Sequence, residues 1–373
     1  MTFDGKPAPQ AGAQRRRAYL HIGAPKTGTT FLQQVLWKNR RALSHAGVLY
    51  PYGYSNEHFH AMLDVRRLRW GGTAPDRFAG VWSTVAERVR EWDGGTALLT
   101  NEVLAGASPS TIERIVETLE PYDVHVVFTA RDFARQLVSD WQEHIKHKHT
   151  PTLEDFVADL REFGLHAPAP FGEMFWGLHD AAQVLSRWAS VIPPERIHLI
   201  TVPTTGGPVD TLWHRFCQVT ELDSAAYTLP TDRANRSVGM VEAELLRRIN
   251  KHVKTLDDQA YDRFVRVELA QLLAGRSAIP VLPTVHHEWV LERSHELVAA
   301  LEPQGFDVVG DLKELIPDLT RHADYVPTAE LSAGTMLSSS VIAISALLED
   351  AAEQQGTIRE LRERLQRAGL DDR

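Results

Sequence analysis

Six contiguous residues, Pro25-Lys26-Thr27-Gly28-Thr29-Thr30, bring one cation, three hydroxyls and a glycine together. That set suits an oxyanion. Lys26 supplies charge, Thr27, Thr29 and Thr30 supply donors, and Gly23 and Gly28 let backbone N–H groups come close. Residues 17–22 before the set read as a strand. Residues 31–46 after it read as a helix, with Phe31, Val35, Leu36 and Leu43 on one side. A turn that opens a helix adds the positive end of the helix dipole to its own N–H groups. The chemistry of such a turn is phosphate binding. An ordinary strand–helix turn with a solvated lysine does not need three threonines around it.

A second pair can hold another anion. Arg131 follows the apolar run 124–130, and Ser139 stands eight residues later, about two turns into the next helix. A guanidinium can lean over the first turn of that helix while the hydroxyl faces the same space, and its planar fork suits a phosphate. The alternative is Arg131 paired with an acid such as Asp132, and Ser139 in water.

The Lys26 turn is not a Walker A loop, whose lysine follows the second glycine and precedes a Ser or Thr that holds magnesium. Its order, Pro-Lys-Thr-Gly-Thr-Thr, resembles the 5′-phosphosulfate loop of sulfotransferases that use PAPS (3′-phosphoadenosine 5′-phosphosulfate). Arg131 and Ser139 resemble the 3′-phosphate motif of the same family. The resemblance covers roughly the first two-thirds of the chain, in two motifs and element order. It implies sulfuryl transfer from PAPS to a hydroxyl-bearing acceptor, such as a carbohydrate, glycolipid or small metabolite, with no metal. It implies a catalytic His or Glu at a strand end, and Glu102, after the apolar strand 96–100, is the first choice as general base. His60, with His58 nearby, is the second and His144 the third. It also implies a late basic loop over the nucleotide, for which Arg233 or Arg236 in 232–237 would serve, though the Arg-Lys-Gly form of that loop is missing. The run His144–His149 carries interleaved lysines and reads as a basic patch, solvated or facing the acceptor. Trp70, Trp141, Phe171, Phe175 and Trp176 could line an acceptor site or belong to the core.

These residues need a scaffold. The chain has 373 residues, 43% of them hydrophobic and 24% charged, enough for a large core. Apolar strands at 17–22, 47–51, 96–100, 124–130 and 196–200 alternate with helices at 31–46, 57–63, 76–92, 108–119, 133–147, 153–163, 178–191 and 210–219. Ser110 with Glu113 three residues on reads as the cap of the fourth of these. Such alternation predicts an α/β fold: a three-layer parallel sheet with a P-loop-like phosphate-binding turn, plus helical C-terminal additions. The Lys26 turn, Glu102 and Arg131 would all lie at carboxyl strand ends, where such sheets bind ligands. The expected domains are a disordered tail over 1–16, a sulfotransferase domain over 17–327 and a helical extension over 328–373. The second of these divides into a parallel core at 17–220 and a mainly helical completion at 221–327.

Net charge −9 argues against a chain-wide nucleic-acid surface. One cysteine, Cys217, precludes an internal disulfide, which points to a reducing, cytoplasmic setting. Residues 331–348 carry no charge over nearly the length of a membrane span, yet their serines and threonine argue against one. From Ile344 to Leu365 apolar residues recur at alternating spacings of three and four. That leaves two readings open, packing on the chain's own domain or a homodimer through the C-terminal helix. Two other functions compete with sulfuryl transfer. One is a P-loop kinase or nucleotide hydrolase, against which the position of Lys26 counts. The other is a non-catalytic anion-binding protein assembling through the C-terminal helix.

Overall fold

The computed structural model describes residues 16–70, 73–204, 207–208, 210–230, 237–322 and 324–367. Six strands form one all-parallel sheet: β1 (Arg17–His21), β2 (Val48–Leu49), β3 (Thr96–Thr100), β4 (Asp123–Ala130), β5 (Ile197–Thr201) and β6 (Asp307–Val309). Their spatial order is β2-β3-β1-β4-β5-β6. Helices connect them: α1 (Thr29–His45), α2 (Glu57–Arg66), α3 (Val81–Arg90), α4 (Pro109–Leu119), α5 (Phe133–Lys146), α6 (Leu153–Phe163), α7 (Phe171–His179), α8 (Ala181–Ala189) and α9 (Thr211–Thr220).

Strand register explains the core. Tyr19 of β1 lies opposite Leu98 of β3 and His125 of β4. Side chains alternate between faces, so Tyr19, Leu98, Val127, Ile200 and Val309 share one face, where they cluster with Leu32, Val35 and Leu36 of α1 and with Trp213 and Phe216 of α9. Leu20, Leu99, Val126 and Leu199 on the opposite face are buried as well, and α8 packs against β4. A parallel sheet covered on both faces needs such near-continuous apolar strands.

Several expectations are corrected. The sheet has a sixth strand, β6, inside the stretch read as helical. Three residues are too few to reveal a period of two. Residues 76–92 are not one helix: a 3₁₀ turn at Pro75–Phe78 gives way to α3 at Gly80, whose φ of 88° breaks the run. The span 178–191 is likewise two elements. Asp180, extended at its backbone, ends α7 and caps α8 by accepting from Gln183 N–H at 3.1 Å. The cap of α4 is Ser108, not Ser110: its Oγ accepts from Thr111 N–H at 3.3 Å, and Pro109 takes the first helical position.

The chain divides into two compact units. The first takes Met1–Gln136, Gly164–Thr231 and Leu291–Pro317, and so holds the whole sheet. The second takes Leu137–Phe163, Asp232–Val290 and Asp318–Arg373. Its helices include α10 (Met240–His252), α11 (Asp258–Tyr261), a π-helical stretch (Asp262–Leu269), α12 (Ala270–Leu273), the start of α13 (His287–Leu301) and α14 (Ala333–Arg367). Trp141 is buried at its centre and donates to Pro151 O at 3.1 Å. Asn250 of α10 donates to Ile145 O and His149 O at 2.8 and 2.9 Å, and Tyr261 O–H donates back to Asn250 Oδ1 at 2.6 Å. That amide satisfies carbonyls left over where α5 ends. α14 is long and apolar enough, by length and composition, to cross a membrane.

In the first unit, His58 is a buried neutral ring. Thr100 N–H donates to its Nδ1 at 3.3 Å, and its Nε2–H donates to Pro51 O. Burial lowers its pKa to about 4. The unfolded ring takes up a proton near pH 6.5, so on acidification the unfolded state binds more protons and stability falls between pH 6.5 and about 4. His58→Gln should therefore flatten the dependence of unfolding free energy on pH between 6.5 and 5 by up to about 1.4 kcal/mol per pH unit. Urea titrations across that range check this, and an unchanged slope would show that His58 titrates normally.

Candidate functional site

The turn between β1 and α1 takes its shape from three left-handed residues. Gly23, Lys26 and Gly28 have φ of 114°, 63° and 94°. That backbone is open to glycine but costs a lysine about 1–2 kcal/mol. Gly28 precedes α1 in close packing: a Cβ there would lie 2.4 Å from Leu212 Cδ2 of α9, and that side chain would have to shift. The first turn of α1 has no side-chain cap and no acidic residue. No acidic side chain in that turn offsets the positive end of the helix dipole.

Below the turn runs a line of buried polar side chains across three strands. His21 ends β1, Thr100 ends β3, and Thr129 is next to last in β4. Thr100 Oγ1 lies 2.7 Å from His21 Nδ1, and His21 Nε2 lies 3.4 Å from Thr129 Oγ1. Thr129 Oγ1 lies 2.5 Å from Thr27 Oγ1, which donates to Ala24 O at 2.6 Å. One proton assignment serves every member. Thr100 O–H donates to Nδ1, Nε2–H to Thr129, and Thr129 O–H to Thr27. Gly23 O accepts from Thr129 N–H at 2.5 Å and also lies 3.0 Å from Thr129 Oγ1. The assignment requires a neutral imidazole, and burial lowers the His21 pKa to about 3.

Residues from neighbouring strand ends meet this turn. Glu102, just past β3, approaches Gly23 so closely that a Cβ there would sit 3.2 Å from Glu102 Cβ. Its Oε2 accepts from Gln33 Nε2 of α1 at 3.2 Å, and the residue is half-buried. Ala24 N–H donates to Thr129 O at 2.8 Å, and Gln136 of α5 donates to Pro25 O at 3.1 Å. Arg131 follows β4 directly and donates to Arg135 O at 2.9 Å. Asp132 serves Arg135 by capping its N–H at 2.9 Å and by a charged contact to its Nε. In the sheet order, β1 leads away to β2 on one side and β4 to β5 on the other. The crevice between β1 and β4 is therefore a topological switch point, flanked by the Lys26 turn and Arg131.

The expected site residues thus fall into groups. Lys26, Gly28, Thr29, Thr30, Glu102 and Arg131 belong to this end of the sheet. Thr30 is exposed and Thr29 buried. Thr27 turns its hydroxyl inward, against Ala24 O and Thr129 Oγ1. His60 is half-buried on α2, its Nδ1 2.8 Å from Tyr54 O–H, among Phe59 and Phe78. Ser139 is half-buried on the part of α5 that belongs to the second unit. His144, also in the second unit, is buried against Phe156 with Asp140 at 3.3 Å, so it is not part of a solvated patch. Arg233 and Arg236 lie outside the described residues. Of the aromatic residues, Trp141, Phe171, Phe175 and Trp176 are buried, while Trp70 is exposed beside Phe59. Among the described residues no cluster of three or more His, Cys, Asp or Glu could hold a metal ion.

His21, Thr100, Thr129, Gln33 and Gln136 were not anticipated. A signal for the first three exists in the sequence, because β1, β3 and β4 each carry a polar residue at or next to the carboxyl end of an apolar run. No family model matches the chain, and no curated protein matches it.

Two substitutions test this construction. Gly28→Ala should lower stability by about 1–3 kcal/mol through overpacking on Leu212 and the left-handed backbone. Thr129→Val should cost about 1–3 kcal/mol by leaving buried donors of the line unsatisfied. Denaturant melts read both, and wild-type stability in either variant would contradict the geometry.

Proposed function

We propose that the chain is a PAPS-dependent sulfotransferase acting on a hydroxyl-bearing acceptor. One observation carries the reading: an uncapped helix start, preceded by a left-handed lysine, opens at the switch point between β1 and β4 with Glu102 and Arg131 on the adjoining strand ends. The motif order at Lys26 resembles a phosphosulfate loop rather than a Walker A loop, which favours a sulfated donor over a magnesium nucleotide.

In this reading the N–H groups of the first turn of α1 and Lys26 bind the 5′-phosphosulfate. Arg131 takes the 3′-phosphate. The acceptor oxygen attacks sulfur in line. An O–S bond forms as the bond from sulfur to the bridging oxygen breaks, and PAP (3′-phosphoadenosine 5′-phosphate) leaves. Negative charge grows on the departing phosphate, where Lys26 and the turn N–H groups stabilise it more than in the ground state. The acceptor's proton goes to the Glu102 carboxylate, which Gln33 holds in place. His60 is the second candidate for that role, and its pKa is lowered by burial.

The test is ligand-dependent. PAP should raise the melting temperature in the presence of EDTA, and Mg-ATP should not. Lys26→Ala should lower sulfate transfer about 10²–10³-fold. Glu102→Gln should lower turnover about 10²–10⁴-fold with PAP affinity unchanged. Arg131→Ala should weaken PAP binding. A preference for Mg-ATP would shift the reading to a kinase. Full transfer by Lys26→Ala would overturn the mechanism.

A further inference from the structure

The first turns of α14 are anchored and the rest is not. Met336, Ser339 and Ala343 are buried, α10 and α12 lie against the helix, and Ser339 O–H donates to Glu242 Oε1 at 2.9 Å. A polar tie to a buried carboxylate holds this half within the second unit, which disfavours passage through a bilayer. From residue 344 to 367 every residue is exposed except the half-buried Ala346, Asp350 and Gln354. That stretch spans about 36 Å of helix.

Its exposed face has heptad order. Ile344, Ala351, Ile358 and Leu365 take one core position of the repeat, and Leu347, Gln354 and Leu361 take the other. Ile344, Ile358, Leu361 and Leu365 are each 44–56% exposed, an unpartnered seam. Charge then decides what fits it. Residues 349–353 carry Glu349, Asp350 and Glu353 and no base. Residues 359–367 carry Arg359, Arg362, Arg364 and Arg367 against Glu360 and Glu363. A parallel partner of the same sequence sets acid on acid and arginine on arginine. An antiparallel one sets each acidic end on a basic end.

We propose that α14 pairs with α14 of a second copy as an antiparallel coiled coil centred on residue 356. In that register Leu347 meets the partner's Leu365, Ala351 meets the partner's Leu361, and Gln354 meets the partner's Ile358. The flanking Asp350 faces the partner's Arg364, once on each side of the dyad. Gly356 falls on the outer face, where its missing side chain costs no core contact. Gln355 and Thr357, on either flank, each face their own copy.

The full chain in solution tests this. Its mass by light scattering should be twice the 41.8 kDa of one chain. Ile358→Glu and Leu361→Glu are exposed changes and should return the monomer mass with an unchanged circular dichroism spectrum. Asp350→Arg alone and Arg364→Asp alone should each weaken the dimer, and the two together should restore it. Under mild oxidation Gln355→Cys and Thr357→Cys should cross-link between copies, whereas Ala351→Cys should not. A monomer at every concentration, or a dimer indifferent to Ile358→Glu and Leu361→Glu, would overturn the proposal. Cross-linking at 351 but not at 355 and 357 would overturn the antiparallel register. A monomer that co-sediments with phosphatidylcholine or phosphatidylglycerol vesicles would show that the seam meets lipid instead.

Discussion

A chain of four hydrogen bonds running one way, from Thr100 through His21 and Thr129 to Thr27 and Ala24 O, supports the end of the sheet where the candidate site lies. The first three links cross from one strand to the next or from strand to turn, and the last closes the turn on itself. Being buried, every donor in it must be used, because an unmet one costs about 1–3 kcal/mol. The line turns Thr27 inward, where its hydroxyl donates to Ala24 O. On either side of Thr27, Lys26 and Gly28 adopt left-handed backbone, and α1 starts without a side-chain cap.

The same constraint joins local structure to proposed chemistry. A turn carrying a strained lysine needs a scaffold that over-determines it. Here the support comes from three sides: the polar line below, Leu212 against Gly28, and Glu102 against Gly23. In the proposed transfer, donors held this way would stabilise the departing phosphate without reorganising during the reaction.

Much of the scaffold could be read from the amino-acid order, because a covered parallel sheet demands long apolar strands. β1, β3, β4 and β5 stand out for that reason. β6 does not, since Asp307–Val309 is too short to carry a pattern and earns its place only by pairing with β5. Helix breaks were hidden where a polar residue changes role. Asp180 looks like a mid-helix acid and is a cap. Within the site, Lys26 and Gly28 were legible from the type and spacing of their neighbours. Glu102 was legible from its position after a strand. The polar line was not, because the contacts that join its strands and turn link residues 79, 108 and 102 apart, which meet only through strand register. His144 shows the converse. Its local run looks basic and solvated, yet Asp140 one turn earlier and Phe156 on another helix bury it.

The central claim is that this crevice holds one donor by two phosphates. A crystal structure of the protein with PAP tests it most directly. The account predicts the 5′-phosphate against the N–H groups at the head of α1 and Lys26, with the 3′-phosphate on the Arg131 guanidinium. PAP bound at any other end or face of the sheet, or touching Lys26 while leaving Arg131 beyond reach of either phosphate, would contradict it.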